Sequence, residues 1–427
     1  MPFAAEQLVD HLFRHEAGRL HALLLRWLGV RYLAEADDLV QDTLVEALTA
    51  WRLHGPPDNP AGWLYRVAQR KTLDWLRRQQ RFDRLGPGLR EAAQRVTDAP
   101  PHYLPEELAD SQLRVLFVCC HPALAPAAQV ALCLKTLGGL SAAELAAALL
   151  STPDALTKRL FRARETLRAA DVSLEVPAGA ELTRRLAGVL HALYLLFNAG
   201  YDSEQPAAPI RQDLCAEALR LGQLLTQQPR TDLPDTHALL ALFCLQAARL
   251  PARTDAHGQL VLLEDQDRRR WSQLLIARGL RHLGRAADAP EAGPYHLQAG
   301  IALEHCRAPS YAATDWAAIR GLYDQLLARR PSPVVALHRA VAVARADGPV
   351  LGLQAAAGAQ ALAGTYLYHA VLGDLHRLNY DTAAACRHLE QALHGTSSPV
   401  RQQLLQRKLA ALNGPEDGRE LRERYKK

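Results

Sequence analysis

The chain has 427 residues, 49% hydrophobic and 22% charged, and Lys plus Arg exceed Asp plus Glu by five. That is two to three domains' worth at roughly 150 residues each, in a composition that suits a folded soluble protein and carries too little net charge to mark a nucleic-acid binder by itself. No run of about 18 uncharged apolar residues occurs, and acids and a histidine interrupt the opening MPFAAEQLVDHLFRHEAGRL, which disfavours a membrane span or a secretion signal and favours the cytoplasm.

Ala, Leu, Arg and Gln dominate and no sustained period-two alternation shows, so the expected class is all-α. Helical periodicity runs from about Glu6 to Leu28, through Leu39, Val40, Thr43, Leu44, Ala47, Leu48 and Trp51, and from Trp63 to about Arg81. These segments predict one small domain over residues 1–82. Gly86, Pro87, Gly88, Pro100, Pro101 and Pro105 then break the pattern and mark 83–110 as a linker. Helices resume at Ser111–Cys120 and continue through Ala127–Ala169, predicting a second small domain at 111–172. Pro177 and Gly179 lead into a third region, 181–427, whose apolar segments and intervening loops read as antiparallel helix pairs. Leu372, Gly373, Leu375, Tyr380, Ala383, Leu389, Ala392, Leu393 and Pro399 sit roughly as in a tetratricopeptide repeat. No 34-residue period runs through the region, so the expectation is a repeat-like helical domain.

Charge is unevenly spread. Residues 1–50 hold four Arg against eight acids, and residues 51–82 hold seven Lys or Arg against two Asp. In the segment WLYRVAQRKTLDWLRRQQR (63–81), Leu64, Val67, Ala68 and Trp75 share one helical face, and Arg66, Arg70, Arg77 and Arg81 form a stripe on the other. Such a stripe, about 28 Å long at 1.5 Å per residue, can follow a phosphate backbone; it can equally be a solvated face. Trp63, Tyr65 and Trp75 are either core or platforms for unpaired bases.

Further on, Ser141 precedes Glu144 at capping-box spacing, a turn follows at Ser151–Thr152, and Pro153 opens a second helix in the first turn where proline is tolerated. Along it Leu156, Leu160, Ala163 and Leu167 face inward, leaving Ala155, Lys158, Arg159, Arg162 and Glu165 outward. This is a helix-turn-helix pattern with a basic second helix, set against the alternative of an ordinary helical hairpin.

Three segments, DDLVQDTLVEALTAW (37–51), NPAGWLYRVAQRKTLDWLRR (59–78) and GLSAAELAAALLSTPDALTKRLFRARETLR (139–168), together resemble extracytoplasmic-function sigma factors, in that family's order and spacing. LHALYLLFNAGYDSEQ (190–205), LVLLEDQDRRRW (260–271), GPYHLQAGIA (293–302) and SPVVALHRAVAVA (332–344) resemble the subgroup with a C-terminal tetratricopeptide-like extension. The resemblance implies a two-domain sigma module that binds core RNA polymerase and promoter DNA, followed by an extension that modulates it through an intramolecular contact or a regulatory protein. It implies core-polymerase contacts at Asp37, Asp38, Leu39, Gln41 and Asp42. It implies minus-ten contacts at Trp63, Arg66, Arg70, Lys71, Arg77, Arg78 and Arg81. It implies minus-thirty-five contacts at Thr152, Asp154, Ala155, Lys158, Arg159 and Arg162. Arg70 stands where many members have Asn, and Leu150 where they often have the turn Gly.

Cys119, Cys120, His121 and Cys133 match no structural zinc spacing, and the expectation there is buried thiols and no metal. LEDQDRRRW (263–271) reads as a structural ion-pair network in preference to a catalytic pair. No phosphate loop, dinucleotide fingerprint, nucleophile elbow or His-Glu-x-x-His occurs, so neither an enzyme nor a cofactor is expected. The alternative function is a helix-turn-helix regulator that senses a ligand or protein with its C-terminal helices and never touches polymerase.

Overall fold

The computed structural model describes residues 16–81, 87–100, 105–149, 151–203 and 209–413. Among these, every regular element is helical and a single antiparallel bridge, Thr254–Leu260, stands apart. The all-α expectation holds. No described helix is long and apolar enough to cross a membrane. Contacts group the chain into two units: residues up to Ser203 with Ile210–Asp232, and the residues from Leu233 onward.

In the first unit, α1 (16–28) ends at Gly29, whose φ of 90° turns the chain into a 3-10 turn, Val30–Tyr32. A residue with a Cβ rarely adopts that backbone. Then come α2 (Leu33–His54) and α3 (Pro60–Arg81). Leu20, Leu24 and Trp27 of α1 and Leu64, Tyr65 and Ala68 of α3 are buried, with the Trp27 and Tyr65 rings edge to face at 5.7 Å. The 83–110 stretch is not featureless. It contains α4 (Pro87–Thr97), where Leu89, Ala92 and Val96, spaced three and four apart, are buried, and Arg95 Nε donates to the Trp27 carbonyl at 3.0 Å. Pro87 and Pro105 each open a helix, which hid the helical pattern behind proline signals.

Next are α5 (Pro105–Cys119), α6 (Pro126–Thr136), α7 (Ala142–Ala148) and α8 (Pro153–Ala169). The capping box on α7 is formed: Glu144 N–H donates to Ser141 Oγ at 3.2 Å, and Ser141 N–H donates to Glu144 Oε2 at 2.8 Å. Thr152 Oγ1 caps α8 by accepting from Ala155 N at 3.3 Å. Two helices of the C-terminal region, α9 (Gly179–Tyr201) and α10 (Gln212–Thr226), belong to this same unit. A Cβ on Gly188 of α9 would lie 2.9 Å from Gln129 Oε1, and Arg211 pairs with Glu144 at 2.9 Å. Arg220 donates to Gln112 at 2.9 Å.

The second unit runs from α11 (Pro234–Ala247) and α12 (Gln273–Ala286) through α13 (Pro294–Arg307), α14 (Trp316–Arg329), α15 (Pro333–Asp347), α16 (Pro349–Ala356), α17 (Tyr366–Leu378), α18 (Thr382–His394) and α19 (Pro399–Asn413). Its hairpins share a close approach. Gly279 of α12 sits against Leu245 and the Ala241 carbonyl, and Gly373 of α17 sits in the same way against Leu389 and the Ala385 carbonyl. In both, a side chain at the glycine would collide with its partner helix. Glu264 joins three segments by pairing with Arg345 at 3.3 Å and Arg377 at 3.6 Å, and Arg268 stacks on Trp271 while donating to the Ala308 carbonyl at 2.9 Å. Within the 263–271 cluster, Glu264 and Arg268 therefore brace neighbouring segments, while Asp267 and Arg269 pair locally at the surface.

Candidate nucleic-acid interface

Helix α2 divides its acidic motif between two faces. Asp38, Gln41 and Asp42 are exposed, whereas Asp37 and Leu39 are buried. Neighbouring residues on a helix point about 100° apart, so Asp37 and Asp38 cannot serve one surface. The exposed face continues into Val45, 59% exposed, and Leu48. A cleft of about 340 Å³ joins this face to the end of α3, lined by Glu35, Asp38, Leu39 and Asp42 on one side and Trp75, Arg78 and Gln79 on the other.

On α3 the predicted faces are present: Leu64, Val67 and Ala68 are buried, and Arg66, Arg70, Arg77 and Arg78 are exposed. The Arg81 side chain lies outside the described residues. The cations are not equally available. Arg70 and Lys71 both close on Glu46 of α2, Lys71 at 3.0 Å. Partial burial pushes the Glu46 carboxyl up, but the hydrogen bonds from Arg70 and Lys71 outweigh it and hold it below the usual glutamate range. Arg77 leans on Asp74 at 3.3 Å, while Arg66 is unpaired among the described residues. Tyr65 is core, its hydroxyl donating to the Pro100 carbonyl at 2.7 Å, and Trp63 is half-buried against Trp51 at 5.6 Å.

On α8, Leu156, Leu160, Ala163 and Leu167 are buried. Thr152, Asp154, Ala155, Lys158 and Arg162 are exposed and Arg159 is half-buried; Lys158, Arg159 and Arg162 have no acidic partner among the described residues. The other edge of α8 is tied down. Arg164 pairs with buried Asp37, and Arg168 reaches Glu35 at 3.4 Å and the Arg31 carbonyl at 3.1 Å. His21 of α1 completes this seam, its Nε2 2.5 Å from Asp37 Oδ1 and its Nδ1 2.9 Å from the Ala17 carbonyl. Burial pushes His21 down to about 4, helped by Lys135 and Arg164 and opposed by the Ala17 contact.

A model of sigma-70 region 2 matches residues 12–82, the stretch that carries the α2 and α3 faces. That stretch is similar to region 2 of sigma-70 proteins. A second model, a family of unknown function (DUF6596), matches residues 185–287. An uncharacterized protein of Rhizobium meliloti (strain 1021), R00370, is 39% identical over 355 residues, 82% of this chain and 83% of that protein, so the two share one family. The ECF RNA polymerase sigma factor SigE of Mycolicibacterium smegmatis is 30% identical over 160 residues, 37% of this chain and 60% of SigE. No solved structure matches. Region 2 and the SigE likeness support a sigma-factor-like role in transcription initiation.

Two features of the site escaped sequence reasoning. Phe161, 64% exposed, stands on the open side of α8 beside Arg162, although an aromatic inside a helical apolar pattern reads as core. Leu48 fits the buried period of α2 yet is 39% exposed. Cys119, Cys120 and Cys133 are buried, with Cys120 Sγ 3.7 Å from Cys133 Sγ, and contacts with both neighbouring thiols push the Cys133 thiol up. Among the described residues no three His, Cys, Asp or Glu side chains are grouped to hold a metal ion.

Proposed function

We propose that this chain is an alternative sigma factor that acts in the cytoplasm without enzymatic activity. It binds core RNA polymerase through the exposed face of α2, with Asp38, Gln41 and Asp42 leading and Val45 and Leu48 behind them. Asp37 and Leu39, being buried, act by fixing that helix in place. Arg66, Arg77 and Arg78 of α3, with Trp63 at its start, meet the minus-ten element; Arg70 and Lys71 join them when Glu46 releases them. Lys158, Arg159 and Arg162 of α8 enter the major groove at the minus-thirty-five element, placed there by the Thr152 cap, with Asp154 and Ala155 at the helix start. The modules are residues 1–82, 111–172 and a tetratricopeptide-like extension at 181–427, joined by 83–110.

The observation that carries this reading is the face of α2 that no described residue covers. Acids at one end of a helix and bare aliphatics along the same face suit a protein partner, and a simple repressor has no use for it. The extension modulates the sigma domains, a reading supported by the packing of α9 and α10 on the helix-turn-helix in one compact unit. Size-exclusion chromatography of the full chain with sigma-free core RNA polymerase tests the proposal. Co-elution in a one-to-one complex is expected, and separate elution at micromolar concentrations contradicts it.

A further inference from the structure

We propose that the second unit carries a binding site for a dianionic phosphoryl group, on a small phosphate ester or as the free ion, formed by Arg249, Arg268, Trp271 and His305 where the ends of α11 and α13 meet the turn Arg268–Arg270. The inference goes beyond the function proposed above and does not depend on it.

Both guanidinium groups lie over the indole of Trp271, the central carbon of Arg268 4.5 Å and that of Arg249 5.6 Å from the ring centre. Neither has an acidic partner among the described residues. Neighbouring acids are engaged elsewhere: Asp267 pairs with Arg269 at 3.0 Å, Glu264 with Arg345 at 3.3 Å and Glu304 with Arg307 at 2.7 Å. Burial, with Arg249 and Arg268 adding to it, pushes His305 down to about 3, and burial pushes the Cys306 thiol up to about 11 against the pull of the same two arginines. Both groups are therefore neutral near pH 7. Two cations are thus held side by side in a half-buried place with nothing to balance them, an arrangement that costs free energy until an anion joins it.

The hydrogen-bond donors point to the same ligand. Arg268 Nη1 is used within the fold, donating to the carbonyls of His305 and Ala308 at the end of α13, the latter at 2.9 Å. Arg268 Nη2, Arg249 Nε, Trp271 Nε1 and His305 Nδ1 are buried with no hydrogen-bond partner among the described residues. Trp271 is 3% exposed, and a buried indole N–H ordinarily finds an acceptor. The carbonyl ends of α11 and α13 favour cations here, yet they leave these four nitrogens unused. Both arginines are half-buried, so a ligand reaches the cluster through them.

One carboxylate would balance only one of the two arginines. A phosphate monoester carries about 1.5 to 2 negative charges near pH 7 and three strong acceptor oxygens, which matches two cations and the free donors. Guanidinium groups suit such oxygens, and the stacking on Trp271 fixes them before the ligand arrives.

The test is calorimetric titration of the full chain, at constant ionic strength, with inorganic phosphate, glycerol 3-phosphate and acetate. The two phosphoryl probes should bind, and acetate should give no binding over the same concentrations. Tighter binding of glycerol 3-phosphate assigns the site to a phosphate ester, and tighter binding of phosphate assigns it to the free ion. Arg249→Gln, which removes a guanidinium that no other group of the fold hydrogen-bonds, should weaken both probes by about ten- to a hundredfold. Trp271→Phe keeps the ring under the arginines and removes only the N–H; it should weaken them by about three- to tenfold. The melting temperature of each variant without ligand reads any loss of packing separately. Absence of binding up to ~10 mM of either phosphoryl probe overturns the site. So does acetate binding as tightly as phosphate, or undiminished phosphate binding by both variants.

Discussion

On α3, Arg70 and Lys71 both close on Glu46, whereas on α8 Lys158, Arg159 and Arg162 have no acidic partner among the described residues. The two helices carry similar runs of basic residues, yet their usable charge differs. On α3 part of the positive stripe is neutralised by the neighbouring helix and Arg77 leans on Asp74, so in the proposed function its contact with DNA rests chiefly on Arg66, Arg78 and the half-buried Trp63. On α8 the neutralised arginines are Arg164 and Arg168, and they lie on the edge away from the open face. Counting arginines along a helix therefore overstates what a phosphate backbone meets, and the packing of the adjacent acidic helix decides which ones remain.

The largest effect should come from the surface that neither basic helix contributes to. Asp38→Arg with Asp42→Arg places cations where the partner surface is expected to be basic, and like-charge juxtaposition of this kind should weaken core-polymerase affinity on the order of a hundredfold. Fluorescence titration of labelled core measures it, and an unchanged affinity removes α2 from the interface. Next, Arg162→Ala should cost about 1–3 kcal/mol at one promoter position and relax preference there, whereas Arg66→Ala should weaken all sequences and lower the salt slope by about one. Competition binding over a panel of single-base promoter variants separates the two; identical behaviour would erase the contrast between the helices.

The pinned edge of α8 gives a pH signature. His21 takes up a proton near 6.5 when unfolded and near 4 when buried against Lys135, Arg164 and Asp37. Between those values the unfolded chain binds more protons. The stability His21 confers is thus present above about 6.5 and is lost as pH falls toward 4. His21→Gln should flatten that part of the melting-temperature profile, with a difference of roughly 2–4 °C for each 1 kcal/mol in a unit of about 200 residues. Superimposable calorimetric profiles for the two proteins would place the titration elsewhere. The smallest effect belongs to the neutralised edge of α3. Glu46→Gln frees Arg70 and Lys71 and should tighten non-specific DNA binding by about two- to fivefold, the range of an exposed ion pair, with a steeper salt dependence. A flat response in filter binding at several salt concentrations would mean those two cations never reach phosphate.

Much of the fold was legible because its local signals agree. The Ser141 and Glu144 capping box, Pro153 in the first turn and the inward Leu156, Leu160, Ala163 and Leu167 all specify the same hairpin, and it forms as read. The helix within 83–110 was hidden because prolines open α4 and α5, and a proline that starts a helix carries the same letter as one that ends it. The inward turn of Asp37 was hidden for another reason. A carboxylate next to Asp38 reads as surface until a buried histidine and an arginine over a hundred residues away are known to enclose it, and no local pattern encodes that pairing. Phe161 is the converse case, an aromatic whose exposure follows from which side of α8 the domain happens to cover. In the C-terminal region the hairpins repeat a glycine contact, at Gly279 and Gly373, without a constant sequence period, which is why a repeat was visible only in outline.

In the proposed function the chain directs polymerase to start sites of its own. The most direct measurement is transcription in vitro on fragmented genomic DNA by core RNA polymerase with and without the full-length protein, followed by sequencing of transcript 5′ ends. A new set of starts is expected, sharing two upstream elements and disappearing with the Asp38→Arg and Asp42→Arg variant. The same set of starts with and without the protein would contradict it.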